Sequence, residues 1–392
     1  MLFSSHKRSK TIALFDVGSS SIGASVVSYI AGNKGEVKPV FMSAIRDHFS
    51  FQEELDFKRF ALTMESSVEK TLATLKSLPH PKVSEVFCIL SSPWYTAEMR
   101  VVELKKSTEF IATKQVLDDL VKKEIKRFEE SELTHYGNLG SELVVVESKI
   151  SHIRLNGYPS EDPIGKMCSS ISLELYIVIA PKSVLKKIEY YMQKTWNGVS
   201  VRFLSYGYVA FSVIRDLFPT EHSFLVVDIG GEVSDIMLVK QNTIHSSVSF
   251  PYGKHTLIRA LSREFKLAPS EFLSIAEAYR SGDLSYEETE RLAGALKNAE
   301  KEWLEYFQKG LVNISNEISV PPTLFVTADN KYIDWFMDFI KRETFTQYTA
   351  TERAFTIVAL TSTFLESYVN VAGVAKKDPL LLLESLFVRK LL

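Results

Sequence analysis

Two strand–turn–strand units constrain the fold of this chain more than any other feature. The first covers Thr11–Tyr29, where an apolar strand ends in a DVG run that begins at Asp16. The second covers Phe224–Lys240, where an apolar strand ends in a DIGG run that begins at Asp228. The two aspartates lie 212 positions apart, so the pattern indicates one unit duplicated in two halves of the chain rather than a short repeat.

The residue types at both turns suit a polyphosphate bound with a metal ion. Glycine lets the main chain approach a ligand closely, and exposed amides at such turns bind anionic oxygens. An aspartate at the strand end can hold a hydrated Mg²⁺ beside those oxygens. The alternative is that both aspartates only cap turns. The predicted phosphate-binding residues are Gly18, Ser19, Ser20, Gly230 and Gly231, and the predicted Mg²⁺ ligands, through water, are Asp16 and Asp228.

Bulk composition excludes several classes of protein. At 392 residues, 45% apolar and 24% charged, the chain has the composition of a soluble globular protein with two or more domains. A net charge of −2 provides no basic field to attract nucleic acid. Cys88 and Cys168 fit no metal spacing, and two thiols in a long chain indicate a reducing compartment, so we expect a cytoplasmic protein. The basic first ten residues are not followed by the apolar h-region of a secretory signal.

Strands and helices alternate along much of the chain, which predicts an α/β protein with a mixed or parallel sheet. A block of βαββ outline interrupts the alternation and predicts an inserted subdomain, after which Ser172–Ala180 is expected to return to the core sheet. A final helix is predicted within Ala354–Ala372. We predict a first lobe over 1–90 and 167–222, the inserted subdomain over 91–166, a second lobe with its hairpin over 223–255, a helical subdomain over 256–320, a C-terminal part of the second lobe over 321–375 and an apolar tail over 376–392.

Four motifs together resemble the FtsA family of actin-like ATPases and, more distantly, the PilM family, over about residues 11–375. The two turns are similar to that superfamily's two phosphate motifs. The run FPYGKH, which contains Gly253, resembles the segment that follows the second hairpin. The run AEAYR resembles a motif near the ribose and base, which adds Glu277 and Arg280 to the nucleotide site. The resemblance implies an actin-like two-lobe fold of duplicated ribonuclease-H-like units, with an FtsA-type, SHS2-like insert.

The resemblance also implies a function. An FtsA-like protein is an ATP-binding scaffold of bacterial cell division that uses Mg²⁺, self-associates and tethers an FtsZ-like filament protein to the inner face of the cell membrane. A PilM-like protein is instead an adaptor of type IV pilus assembly that binds a pilus inner-membrane peptide. A small-molecule kinase of the same fold is disfavoured, because we find no catalytic carboxylate for it.

Three departures from the family pattern bear on catalysis. The pair Ala328-Asp329 stands where a Gly-Gly pair usually follows a strand, and Gly253 is a single glycine where two are common. The segment Ser205–Tyr208, which links the halves, lacks a carboxylate. We therefore expect a weak ATPase at most, with Asp228 as the one candidate to orient the attacking water.

The tail Leu380–Leu392 reads LLLLESLFVRKLL and leaves two alternatives open. An FtsA-like protein would use such a tail to bind the membrane. However, the polar residues of this tail spread around much of a helical wheel, which suits packing on the protein's own body or on a partner equally well.

Overall fold

A computed structural model describes residues 9–31, 37–49, 57–136, 142–315, 319–349, 352–372 and 377–392. Its strands are β1 (Ser9–Val17), β2 (Ser21–Ala31), β3 (Val37–His48), β4 (Glu85–Leu90), β5 (Thr96–Ile111), β6 (Leu143–Leu155), β7 (Tyr158–Pro159), β8 (Met167–Pro181), β9 (Ser200–Ser205), β10 (Phe224–Ile229), β11 (Ser234–Lys240), β12 (Thr243–Phe250), β13 (Thr323–Ala328), β14 (Thr356–Ala359) and β15 (Asn370–Val371). Its helices are α1 (Phe57–Ser77), α2 (Lys114–Tyr136), α3 (Lys182–Thr195), α4 (Tyr206–Leu217), α5 (Lys254–Phe265), α6 (Pro269–Ser281), α7 (Tyr286–Ser315), α8 (Ile333–Arg342), α9 (Ser362–Leu365) and α10 (Pro379–Val388).

The two predicted hairpins lie at equivalent places in two separate sheets. The first sheet has the order β15-β3-β2-β1-β4-β9, and the second has the order β12-β11-β10-β13-β14. In the first, β1 pairs antiparallel with β2 and parallel with β4. In the second, β10 pairs antiparallel with β11 and parallel with β13. The same local topology in both sheets agrees with the duplication predicted from sequence.

Each sheet has its own helices and its own apolar core. Helices α1, α3, α4 and α10 surround the first sheet, whose strand β1 is buried from Ile12 through Phe15. Helices α5 to α8 cover the second sheet, where Trp303 stacks on Phe307 with ring centroids 5.0 Å apart. Trp335, Phe336 and Phe339 of α8 are buried in this second core, as the sequence predicts for a core-facing aromatic stripe.

The inserted subdomain is a third sheet of order β5-β8-β6-β7 covered by α2. The prediction that Ser172–Ala180 returns to the core sheet is wrong, because β8 pairs with β5 on one side and β6 on the other. This strand lies beyond the predicted boundary at residue 166. An apolar run such as SLELYIVIA suits any sheet that is covered on one face, so its composition could not identify its neighbours.

The prediction of a final helix within Ala354–Ala372 is confirmed only in part, by the short helix α9. The chain forms the strand β14, the short helix α9 and the strand β15 in that stretch. β14 extends the second sheet parallel to β13, and β15 pairs with β3 in the first sheet. The β-branched residues of Thr356–Val358 favour a strand, and here that local preference prevails over the apolar spacing.

The C-terminal tail packs on the body of the protein. Helix α10 begins after Asp378, whose carboxylate accepts hydrogen bonds from the amides of Leu380 and Leu381. Residues 381–388 are all buried, against α4 and β1 of the first lobe. Of the two alternatives that the sequence left open for the tail, the structure therefore favours packing on the protein's own body.

None of the described helices combines the length and apolar character needed to cross a bilayer.

Candidate functional site

The two hairpin turns face each other across one cavity of about 380 Å³ between the lobes. Strands β1 and β10 end on its two sides. It is lined from the first turn by Asp16, Gly18, Ser19 and Ser20 and from the second by Asp228, Gly230 and Gly231, so seven of the predicted site residues meet here. The remaining lining comes from β3, α5, the residues after β13 and the start of α10, and includes Arg46, His48, Lys254, Asp329, Lys331, Lys377 and Asp378.

The two turns touch directly through one serine hydroxyl. The amides of Gly231 and Glu232 both donate to Ser19 Oγ, each at 3.0 Å. Two successive amides that converge on one oxygen form the kind of nest that holds a phosphate oxygen. A Cβ atom at Gly231 would lie 2.3 Å from Ser20 Cβ, so only glycine allows this approach. The second turn thus offers a phosphate-binding geometry that a hydroxyl of the first lobe fills.

Other predicted donors are engaged within the turns themselves. Gly18 N donates to Ser21 O at 3.1 Å, and Gly230 N donates to Val233 O at 3.0 Å. Gly253 lies behind the second turn, where an added Cβ would be 2.4 Å from Gly231 O. The start of α5 therefore supports the second turn from behind, and Gly253 does not line the cavity.

Asp16 is paired with an arginine that the sequence analysis missed. Arg46 Nη1 lies 2.7 Å from Asp16 Oδ2, and both side chains are largely buried. Strand register explains the contact, because Asp16 of β1 is opposite Gly23 of β2, which is opposite Arg46 of β3. A Cβ at Gly23 would lie 2.5 Å from Arg46 Nη2, so glycine leaves the path open across the sheet. Only knowledge of the register of three strands could have revealed this pair.

A second carboxylate holds Arg46 from the other side. Asp378 accepts from Arg46 Nε at 2.5 Å and from Nη2 at 2.9 Å, and the same carboxylate caps α10. Burial raises the pKa of Asp16 above its usual value, with Arg46 opposing that effect. A guanidinium therefore lies at one oxygen of the carboxylate predicted to orient a hydrated Mg²⁺, where it competes with a metal ion. The described residues also contain no group of three or more His, Cys, Asp or Glu side chains arranged to bind a metal.

Asp228 is partly exposed to the cavity and has a neutral hydrogen-bond partner. Thr327 Oγ1 donates to Asp228 Oδ1 at 2.7 Å, and Asp235 is its cross-strand neighbour on β11. Burial first, and then the carboxyl of Asp235, raise the pKa of Asp228 well above its usual range. This environment favours the neutral acid, which works against both the predicted metal-ligand role and the predicted orientation of an attacking water.

The side of the cavity formed by α5 and the residues after β13 carries a partly buried ion pair. Lys254 Nζ lies 2.7 Å from Asp329 Oδ2, in the segment where the family pattern has glycines. Burial alone would raise the pKa of Asp329, but the Lys254 ammonium lowers it below the usual range. Burial and Lys254 together lower the pKa of the cavity-lining His48 to about 4, so its ring is neutral at pH 7.

Glu277 and Arg280 of α6 do not line the cavity. Glu277 contacts it through Lys331, whose Nζ lies 2.8 Å from Glu277 Oε1. Glu277 is largely exposed, so this pair lies at the rim of the cavity. The structure therefore places both residues beside the site rather than in it.

A second cavity, of about 610 Å³, lies between the inserted subdomain and both lobes. Two acidic residues of the insert, Glu98 and Glu132, line its wall together with the partly buried Asp235 of β11. Asp228 lines this cavity as well as the first one. The other lining residues are Ser92, Tyr95, Thr96, Ala97, Phe128, Tyr176, Tyr206, Gly207, Ala210, Val226, Ile236, Met237, Ser247, Val248 and Ser249.

Comparisons with known proteins identify the fold. No protein-family model and no curated protein sequence matches the chain. The structure is similar to that in a PilM–PilN type IV pilus biogenesis complex, with a TM-score of 0.63, 13% identity and coverage of 96% of this chain and 98% of that one. A Bacteroides thetaiotaomicron protein with an actin-like ATPase fold gives a TM-score of 0.40 at 10% identity, with 99% of each chain covered. The ethanolamine utilization protein EutJ from Carboxydothermus hydrogenoformans gives 0.41 at 12%, with 97% and 90% covered. The chain has the actin-like ATPase fold.

Proposed function

We propose that this protein is an actin-fold adaptor that binds a nucleotide between its lobes and a peptide of a membrane partner beside its inserted subdomain. The observation that carries the proposal is the pair of cavities that share Asp228, one between the two phosphate-type turns and one between the insert and both lobes. This arrangement supports the PilM-like alternative of a pilus inner-membrane peptide as partner. The similarity of fold to a PilM–PilN complex is consistent with it.

The first cavity supports binding of ATP through its phosphates. The amides of Gly231 and Glu232 would hold a phosphate oxygen in place of Ser19 Oγ. The buried Lys254 adds a positive charge to the same cavity. Bound ATP would bring its phosphoanhydride bonds into this cavity. The described residues around Asp228 would do little to promote hydrolysis of those bonds. The protein is therefore proposed to use ATP mainly as a ligand that sets the distance between its lobes.

The second cavity supports recognition of a peptide with a basic side chain. Glu98, whose Oε2 lies 3.0 Å from Arg100 Nε, and Glu132 place carboxylates at its wall, and Tyr95, Tyr176 and Tyr206 provide aromatic surface for the stem of a lysine or arginine. Such a partner would place the adaptor at the inner face of the cell membrane.

Binding measured by fluorescence anisotropy tests the proposal. Labelled ATP and a labelled peptide from a pilus inner-membrane protein should each bind saturably, and Glu98→Lys should weaken peptide binding about tenfold or more. Glu103→Lys, on the same strand but outside the cavity, is the matched control and should leave both affinities unchanged. Absence of saturable binding by both ligands would contradict the proposal.

The FtsA-like scaffold is the second candidate. The inserted subdomain and the two turns also suit an ATP-binding, self-associating protein that binds an FtsZ-like filament protein. Burial of residues 381–388 argues against a tethering role for the tail in this candidate. A pull-down that retains FtsZ, but not the pilus peptide, would favour the scaffold over the adaptor.

A further inference from the structure

The position of Arg46 is built into the first sheet. Asp16, Gly23 and Arg46 lie abreast on three adjacent strands, so their side chains share one face of the sheet. The missing side chain of Gly23 lets the guanidinium cross β2, because a Cβ there would lie within 2.5 Å of Arg46 Nη2. The guanidinium reaches Asp16 Oδ2 at 2.7 Å. This contact therefore follows from the register and not from a chance rotamer.

Two further residues fix the orientation of the guanidinium. Asp378 binds Nε and Nη2 through both of its carboxylate oxygens, and Arg46 Nη1 donates to Ser21 Oγ at 2.9 Å. Bidentate contact with a carboxylate is the most orientation-specific ion pair that arginine makes. Asp378 is itself fixed as the cap of α10. The arginine is thus held at both ends of its planar group.

The Arg46 guanidinium supplies the positive charge at Asp16 that a bound metal ion would otherwise supply. A divalent cation near Asp16 would neutralise the carboxylate beside the incoming phosphates. Arg46 already supplies a permanent positive charge at that carboxylate, because its guanidinium stays protonated at any physiological pH. A second cation at the same oxygens would meet this charge in a largely buried setting, where repulsion is poorly screened.

We propose that Arg46 takes the place of the divalent cation in this cleft, so that the protein binds its nucleotide without Mg²⁺. The inference rests on the proposed binding of a nucleotide, but it concerns a separate property of the site. It also accounts for the contact of Asp16, one of the two predicted metal ligands, with Arg46.

Binding of a fluorescent ATP analogue, measured in excess Mg²⁺ and again in excess EDTA, tests the proposal. For the natural chain we expect the two dissociation constants to agree within about threefold. Arg46→Gln should bind about tenfold more weakly in EDTA and should recover in Mg²⁺, because Asp16 becomes free to orient the metal. Arg46→Lys keeps a positive charge and should retain binding that is independent of metal. An increase of about tenfold or more on adding Mg²⁺ to the natural chain, lost in Asp16→Asn, would overturn the inference while leaving nucleotide binding in place.

Direct metal binding separates this inference from the proposed function. If no nucleotide binds under either condition, the nucleotide-binding part of the proposed function fails, and Mn²⁺ titration followed by electron paramagnetic resonance decides the inference. The natural chain should then show no Mn²⁺ site that depends on Asp16, whereas Arg46→Gln should gain one that Asp16→Asn removes. An Asp16-dependent Mn²⁺ site in the natural chain, or none in a folded Arg46→Gln variant, would overturn it. If Arg46→Gln does not fold, the measurements on the natural chain and on Asp16→Asn still decide.

Discussion

Gly23 determines the geometry of the cleft at the scale of single residues, because it leaves the path that Arg46 takes to Asp16. We expect Gly23→Ala to lower the free energy of unfolding by about 1–3 kcal/mol, because the added methyl group would overlap Arg46 Nη2 and push the guanidinium away from its partners. Urea denaturation followed by circular dichroism measures the change.

Gly294→Ala is the matched control for that prediction. Gly294 lies within α7, and no atom lies within 4 Å of the position that its Cβ would take. Alanine at an exposed helix position removes the entropic disadvantage of glycine, so this variant should be unchanged or more stable by up to about 1 kcal/mol. Equal effects of the two substitutions would contradict the role assigned to Gly23.

Glu384 is a buried acid that should make stability depend on pH. Within the described residues, neither of its carboxylate oxygens has a hydrogen-bond partner. Burial first, and then Asp16, raise the pKa of Glu384 well above its ordinary value of 4.5, while Arg46 opposes them. Above about pH 4.5 the unfolded chain therefore loses this proton while the folded chain keeps it, so the free energy of unfolding falls as the pH rises.

We expect Glu384→Gln to be more stable than the natural chain by about 1–3 kcal/mol at pH 7, because glutamine keeps the volume without the ionisable group. The difference should shrink toward zero as the pH falls to about 4.5, where the glutamate is protonated in both states. Urea denaturation at a series of pH values measures it. A stability difference that does not vary with pH would show that Glu384 is not held neutral in the folded protein.

At the scale of elements, α10 is a core helix of the first lobe rather than an appendage. Leu382 is fully buried, whereas Leu392 is 42% exposed. Leu382→Ala should lower the free energy of unfolding by about 2–5 kcal/mol, because it leaves a cavity in the core. Leu392→Ala changes the same residue type in the same tail, and its free energy of unfolding should stay within about 0.5 kcal/mol of that of the natural chain.

If both variants and the natural chain sediment equally with liposomes, the tail has no membrane role.

The elements that could be predicted from sequence are those whose pattern is local. Both hairpins and the helical subdomain that contains α6 and α7 follow from apolar spacing and from glycine at turns. The partners of β8, and the strands β14 and β15, could not be predicted, since strand pairing depends on residues far away in the chain. The role of Asp378 was hidden for the same reason, because Arg46 lies 332 positions before it.

The candidate site also combines features that the local sequence predicts with features that depend on residues far away in the chain. The sequence placed seven residues of the two turns around one cavity, which the structure brings together. It did not reveal that Asp16 already has a cationic partner, or that Lys254 pairs with Asp329. Motifs record which residue types stand at a turn, whereas the charge at that turn also depends on side chains that reach it from other strands.

At the scale of the whole molecule, the contact between the two lobes at the cleft depends on Ser19. Its hydroxyl accepts from the amides of Gly231 and Glu232, which belong to the other lobe. We expect Ser19→Ala to lower the free energy of unfolding of the nucleotide-free protein by about 1–3 kcal/mol, because two buried amides lose their acceptor. Those two amides should also exchange hydrogen faster with solvent, since the lobes would separate there more often.

Hydrogen exchange followed by mass spectrometry, over a peptide that contains Gly231 and Glu232, measures this opening directly. Ser20→Ala is the matched control, because the neighbouring Ser20 hydroxyl accepts from neither amide. Added nucleotide should restore protection in Ser19→Ala if a phosphate oxygen replaces the missing hydroxyl at the same two amides. Unchanged exchange in Ser19→Ala would mean that other contacts hold the lobes together. Faster exchange that nucleotide does not reverse would mean that the second turn does not receive the phosphates.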